Sequence, residues 1–154
     1  MNQKAPKAPL LSPLLRSGLE VLDHGLWHFF RSDTSTDMKF ALLHVDQAIE
    51  LFLKEKVRAS GRTIYKNPKE TISMYGAYDA LKELGVQIPE KPDLELLHEE
   101  RNNIQHKYAN LSAEDAAFHI DKAIRFIKRF LKDELGVPLE AHVPSEYLEE
   151  LGID

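Results

Sequence analysis

Residues 40–54 read FALLHVDQAIELFLK, and apolar side chains occupy most of these positions. Consecutive side chains on an α-helix lie about 100° apart, so this composition leaves one narrow polar stripe, formed by Asp46, Gln47, Glu50 and Lys54. A helix that is apolar around so much of its circumference is typical of the centre of a bundle. The sequence therefore predicts a central helix from near Asp37 to about Ala59, ended by Gly61.

Capping patterns predict the helices that precede and follow this one. Ser12 followed by Pro13 marks the start of a first helix that runs toward Arg31. Asn67, with Pro68 after it and a glutamate three positions later, predicts the start of a third helix that reaches Leu84. No alternating pattern typical of a β-strand competes with these helices.

Two further helices follow in the second half of the chain. The prolines within residues 86–92 predict a non-helical linker, after which a fourth helix begins at Asp93. Ser112 predicts the start of a long fifth helix that continues to about Leu135 and ends at Gly136. We therefore expect an all-α, up-and-down bundle of about five helices.

The chain has 154 residues, the size of one ordinary domain. We interpret residues 1–12 as a flexible N-terminal arm, residues 13–136 as the helical domain and residues 137–154 as an acidic C-terminal tail. The tail carries five acidic residues and no Lys or Arg, so it accounts for the whole net charge of −5. The body is therefore neutral overall, and the tail is expected to be a flexible appendage or docking segment.

Composition excludes several classes of protein. The chain has no cysteine, which excludes disulfides, thiolate nucleophiles and cysteine-based metal sites. No apolar run approaches the ~20 residues of a membrane span, and the N-terminus does not read as a secretory signal. We expect a soluble cytoplasmic protein that does not bind membranes.

Arg101 lies within the predicted apolar stripe of the fourth helix, on the same sector as Leu94, Leu97 and Ile104. A buried guanidinium costs several kcal/mol unless it is paired, so Arg101 must pair, extend to solvent or line a cleft. The simplest interpretation is an ion pair with a carboxylate at the edge of the core, such as a nearby glutamate.

The segment that follows, Arg101-Asn102-Asn103-Ile104-Gln105-His106-Lys107-Tyr108, resembles the signature of the HEPN superfamily (higher eukaryotes and prokaryotes nucleotide-binding domains). Ribonucleases of that family carry Arg, usually a polar residue such as Asn, and then His after a short interval. Residues 44–54 and 71–74, and Ile88 with Pro89, are also similar to family sequences. The resemblance covers roughly residues 37–135 and implies a HEPN-like fold.

The resemblance implies metal-independent cleavage of RNA at a composite site in the cleft of a homodimer. His106 would act as proton acceptor and donor near neutral pH, and Arg101 would stabilise charge that develops on the phosphate. Asn102 would orient groups by hydrogen bonds. His106 lies five positions after Arg101, so a regular helix points the two side chains about 140° apart. The hypothesis therefore requires two copies of this helix to meet.

Tyr108 extends the resemblance to HEPN toxins that are paired with nucleotidyltransferase-type antitoxins. In such toxins the tyrosine receives a nucleotide modification that silences the toxin. The alternative for Tyr108 is ordinary core packing, because it falls in the apolar sector of the helix.

A basic ridge is predicted on the fifth helix, where the cations Lys122, Arg125, Lys128, Arg129 and Lys132 share one face. Together with Lys107, these residues could contact an RNA backbone. The alternative is an ordinary solvated surface, because cations near a helix C-terminus complement its dipole. A further alternative is that the acidic tail mimics RNA and covers the ridge.

His24 and His28 are four residues apart, a spacing that allows two imidazoles to share a metal ion. Their helix offers no third ligand, so we predict no metal site and no cofactor.

Two other functions remain open. One is a non-catalytic HEPN module that binds RNA or nucleotide without cleaving it. The other is a helical protein-interaction subunit whose interface contains Arg101.

Overall fold

The computed structural model describes residues 11–31, 34–107 and 111–154, and these form an all-α bundle with 73% helix. The six α-helices of the described residues are α1 (Pro13–Phe30), α2 (Ser35–Ala59), α3 (Met74–Glu83), α4 (Lys91–Lys107), α5 (Ala113–Leu135) and α6 (Ser145–Glu150). The predicted all-α fold is confirmed. Most of the predicted N-terminal arm, residues 1–10, lies outside the described residues. None of the described helices is long and apolar enough to cross a membrane.

Helix α2 lies at the centre of the bundle, as its composition predicts. It packs against α1, α3, α4 and α5. Leu42, Val45, Phe52 and Leu53 are each 0% exposed, so the apolar circumference of α2 is covered by its neighbours. The other helices are therefore positioned by their contacts with α2.

Two glycines allow α1 to approach α2 closely. A Cβ atom added at Gly18 would lie 2.7 Å from the ring of Phe52, and one added at Gly25 would lie 3.0 Å from Cβ of His44. Both distances leave little or no room for a methyl group. The glycines of α1 thus fix how near the side chains of α2 lie to those of α1.

The predicted caps of α1 and α5 are confirmed. Ser12 Oγ accepts a hydrogen bond from Leu15 N, and Ser112 Oγ accepts one from Asp115 N. Gly136 ends α5 in the left-handed conformation with φ of 66°.

The predicted start of the third helix at Asn67 is wrong. The chain forms a short antiparallel hairpin there, with strands β1 (Tyr65–Asn67) and β2 (Glu70–Thr71). Asn67 Oδ1 accepts hydrogen bonds from the N–H groups two and three residues later, at 3.0 and 2.9 Å. The same side chain can close a turn or cap a helix, and here it closes the turn. Ser73 caps α3 instead.

Helix α4 begins at Lys91, two residues before the predicted start at Asp93. Pro92 therefore lies in the first helical turn. A proline is accepted there because the N–H that it lacks would have no partner within the helix.

The C-terminal tail packs against the body of the domain. A short 3-10 turn, Leu139–Ala141, and α6 follow α5. The buried apolar side chains of the tail join the core cluster; they are Val137, Leu139, Val143, Leu148 and Ile153. The expectation of a flexible appendage is wrong for this segment, because its apolar residues supply a face that α5 and its neighbours cover.

We predict that Leu139→Ala lowers the free energy of unfolding by about 2–5 kcal/mol, because it leaves a cavity at a site that is 0% exposed. Chemical denaturation monitored by circular dichroism measures this change. Leu84→Ala is the matched control, since Leu84 is 36% exposed, and it should cost less than about 1 kcal/mol. Equal effects of the two substitutions would show that the tail does not contribute to the core.

Candidate functional site: a polar groove between α2 and α4

Polar side chains of α2 and α4 line a groove of about 390 Å³. Its polar lining residues are His44, Asp46, Gln47, Glu50, His98, Arg101 and Gln105. The α2 members include Asp46, Gln47 and Glu50 of the narrow polar stripe that interrupts the apolar circumference of that helix. The groove therefore lies where polar side chains of α2 face α4.

Asp46 is the buried centre of the groove. Its side chain is 4% exposed, and both of its oxygens lie within hydrogen-bond distance of Nδ1 of His98, at 3.0 and 3.2 Å. Nε of Arg101 lies 3.7 Å from Asp46 Oδ2, which makes an ion pair but is too long for a hydrogen bond. Asp46 thus holds two cationic or proton-donating groups of α4.

Burial raises the pKa of Asp46 above its ordinary value of 3.8, because the carboxylate has lost most of its hydration. The charge of His98, its hydrogen bond and the charge of Arg101 act in the opposite direction, and Glu50 adds a smaller rise. Burial outweighs these attractions. The two α4 partners therefore favour the ionised form of Asp46 against the effect of burial.

Arg101 is half-buried, with 33% of its side chain exposed. Its carboxylate partner comes from α2 and is Asp46, so the interpretation of an ion pair is correct but a nearby glutamate is not the partner. One terminal nitrogen, Nη1, donates to Asn102 Oδ1 at 2.9 Å. Among the described residues, Nη2 has no hydrogen-bond acceptor. A planar fork with free N–H groups at the edge of a groove is suited to binding an anion such as a phosphate.

His106 is exposed and does not line this groove. It lies on the same continuous helix as Arg101, so the regular geometry of α4 keeps the two side chains about 140° apart. In a single chain Arg101 lines the groove and donates to Asn102, whereas neither Asn102 nor His106 lines it. The side chain of Lys107 and the whole of Tyr108 lie outside the described residues.

The sequence indicated no functional role for Asp46 or His98, which the groove brings together. His98 precedes Arg101 by three positions, which puts both on one face of α4. Nδ1 of His98 can donate to Asp46, which leaves Nε2 free to exchange a proton; the pair resembles the base-and-orienter arrangement of general acid–base sites. The i, i+3 spacing was the available signal, but nothing local indicates the partner on α2.

The basic ridge of α5 is partly neutralised. Arg129 donates to both oxygens of Glu90, and Arg125 pairs with Asp121 at 3.1 Å. Lys122 lies over the ring of Phe118.

Lys128 and Lys132 have no carboxylate partner among the described residues. They line a shallow groove with the last residues of the tail, 152–154, and Nη2 of Arg125 donates to the carbonyl of Leu151. The tail therefore lies beside the ridge.

The structure brings a third histidine to His24 and His28. His44 of α2 lies beside them, and the ligand atoms of the three side chains all lie within 4.8 Å of one another. Burial lowers the pKa of His44, and the nearby His24 and His28 lower it further. The prediction of no metal site rested on the lack of a third ligand within α1, and α2 supplies that residue.

Comparison of the chain with family models, with curated proteins and with solved structures gives no match.

We predict that His98→Leu raises the pKa of Asp46 further, because it removes the charge and hydrogen bond that lower it while keeping the carboxyl buried. Carbon-13 NMR of the aspartate carboxyls during an acid titration measures this pKa. Between 3.8 and the raised value, the folded state binds more protons than the unfolded state, so the contribution of Asp46 to the free energy of unfolding falls as pH rises. Because His98→Leu raises the upper limit of this pH range, the loss of stability with rising pH should extend to higher pH than in the wild type.

The matched control is His119→Leu on α5, which should leave the pKa of Asp46 unchanged. A pKa of Asp46 that does not respond to His98→Leu would contradict the coupling that we describe between the two side chains.

Proposed function

We propose that this chain is a metal-independent endoribonuclease of HEPN type that acts as a homodimer. The observation that carries the proposal is the exposure of the Arg101 guanidinium. It lies at the edge of a groove and is partly exposed, with N–H groups that can contact a phosphate. Arg101 precedes His106 on one continuous helix, in the order and spacing that resemble the HEPN signature. The proposed catalytic residues are Arg101, Asn102 and His106.

The arrangement of α4 supports a site that two chains share. Asn102 accepts from Nη1 of Arg101, so it fixes the plane of the guanidinium. Nε of Arg101 is ion-paired with Asp46. His106 is exposed and available to a partner helix. Pairing α4 with its copy around a two-fold axis would place His106 of one chain near Arg101 of the other.

The residue types fit the cleavage of RNA by its own 2′-hydroxyl. His106 would take the proton of the hydroxyl or give one to the leaving oxygen, since an imidazole exchanges protons near neutral pH. Arg101 would donate two N–H groups to the phosphate oxygens as the five-coordinate centre forms. Neither step requires a metal ion. RNA is the proposed substrate. Its backbone is proposed to contact Lys107 and the two ridge lysines that have no carboxylate partner among the described residues, Lys128 and Lys132.

The biological role that we propose is that of a toxin or defence protein. The proposed neutralising partner is a nucleotidyltransferase-type antitoxin, which would modify Tyr108.

We expect the purified protein to cleave RNA in the presence of excess chelator. His106→Ala should lower the cleavage rate about 10²–10⁴-fold through loss of proton transfer. Arg101→Ala should lower it about 10²–10³-fold through loss of charge stabilisation. Gel analysis of end-labelled structured and unstructured RNA measures these rates. His142→Ala, which changes an exposed histidine far along the chain, is the control and should cleave as the wild type does.

Mixing the two inactive variants tests the composite site. A heterodimer of Arg101→Ala and His106→Ala retains one intact pair of residues, contributed by different chains. Random exchange of subunits should therefore restore about a quarter of the wild-type activity. If Arg101 and His106 acted within one chain, mixing would restore none, and the shared site would have to be abandoned.

A second candidate function is a non-catalytic module that binds RNA or nucleotide through the same groove. The specific observation in its favour is that His106 lies outside the groove while His98 and Arg101 lie in it. The assay above separates the two functions. Binding of RNA without cleavage, weakened by Arg101→Ala but not by His106→Ala, would favour the binding module.

A further inference from the structure

A cluster of three histidines, His24, His28 and His44, lies between α1 and α2, the two helices that pack most extensively against each other. His24 and His28 are one helical turn apart on α1, and His44 faces them from α2. Ring centroids are 4.6 Å apart for His24 and His28 and 4.8 Å apart for His24 and His44. Three imidazoles from two rigid helices are thus gathered in one place.

Gly25 is the reason that His44 can lie so close to α1. A side chain at this position would meet Cβ of His44 at 3.0 Å and the backbone oxygen of Ala41 at 3.3 Å. The close approach of the helices is fixed by backbone and buried packing. The histidines are therefore held by a scaffold that does not depend on their own contacts.

The distances are near those of a coordinated ion. Nitrogen ligands of a tetrahedral Zn²⁺ lie about 2.0–2.1 Å from the metal and so about 3.3 Å from one another. The ligand atoms of the cluster lie within 4.8 Å. His24 is exposed, so rotation of its side chain can close the remaining gap without moving a helix.

One ligand already has the partner that metal-bound histidines usually carry. Nδ1 of His28 lies 3.1 Å from Oδ1 of Asp37, and the other oxygen of Asp37 accepts a hydrogen bond from Thr34 Oγ1 at 3.0 Å. A hydrogen bond from Nδ1 to a carboxylate leaves Nε2 free to coordinate, and it also orients the ring. Asp37 is itself fixed at the start of α2 by the cap that Thr34 forms.

We propose that His24, His28 and His44 bind one Zn²⁺ ion per chain. The site uses imidazole ligands alone, a donor set that suits Zn²⁺. Three protein ligands leave the fourth tetrahedral position for water or for an outside ligand. This inference is independent of the proposed nuclease function, which uses other residues and no metal. His44 also lines the α2–α4 groove, so the ion would lie beside that groove.

The competing explanation for the cluster is aromatic packing without a metal. The ring of Phe40 stacks on His28 at 5.5 Å between centroids, and Trp27 packs edge-on against the same ring at 5.1 Å. Packing of this kind accounts for the proximity of the rings. It does not require the Asp37 hydrogen bond, and it predicts no selective affinity for an ion.

The test uses full-length protein without a histidine tag, stripped of metal and titrated with Zn²⁺ by isothermal calorimetry. We expect one Zn²⁺ per chain. His24→Gln removes an exposed ligand with little effect on folding and should abolish this binding. Asp37→Asn keeps the size of the side chain but weakens its hydrogen bond, and it should lower the affinity about 10–100-fold. His142→Gln is the matched control and should bind as the wild type does.

Two further measurements keep the result clear. Circular dichroism checks that each variant is folded, and titration with Co²⁺ gives the visible absorption of a tetrahedral site in the wild type but not in His24→Gln. Zn²⁺ at a hundredfold excess over its dissociation constant should raise the Tm by about 5 °C or more. Absence of Zn²⁺ binding in the wild type, or unchanged binding in His24→Gln, would overturn the proposal and leave aromatic packing as the explanation.

Discussion

The burial of α2 is the constraint on which the rest of the structure depends. Its apolar side chains point in nearly every direction, so a single partner helix cannot cover them. α1, α3, α4 and α5 each cover one part of its surface. Polar groups in the apolar middle section of α2 are consequently placed at contacts between helices, where they must find partners. His44 and Asp46 occupy such positions, and they belong to the two sites that we describe.

Much of the fold follows from local sequence. Ser12, Ser112 and Gly136 act through hydrogen bonds and backbone conformations within a few residues, so the sequence alone predicts the helix ends that they form. Asn67 shows the limit of this reasoning. An asparagine followed by proline satisfies the N–H groups of a helix start or of a turn equally well, and the contacts of the following residues decide between them.

The candidate site was predictable only in part. Some of its residues lie close together in the sequence, whereas others are far apart in the sequence and meet only in the fold. Arg101 stands out within its own helix, since a cation in an apolar stripe needs a partner. Asp46 supplies that partner from a position 55 residues earlier in the chain. His44 is likewise invisible to the spacing of His24 and His28, because it approaches them only across the contact that Gly25 permits. The packing of the tail is a third such case, since its apolar residues are few and separated by charges.

Lys54 connects the hairpin to the interior of the domain. Its ammonium group is buried on α2, and it donates to Glu50 Oε2 at 3.3 Å and to Thr71 Oγ1 at 3.0 Å. Glu50 also lines the α2–α4 groove, one helical turn from Asp46. The carboxylate of Glu50 therefore both lines the groove and accepts a hydrogen bond from the lysine that binds the hairpin. A cation that drew Glu50 away would leave Thr71 as the remaining described hydrogen-bond partner of the buried Lys54 ammonium, so an event in the groove would be felt at strand β2.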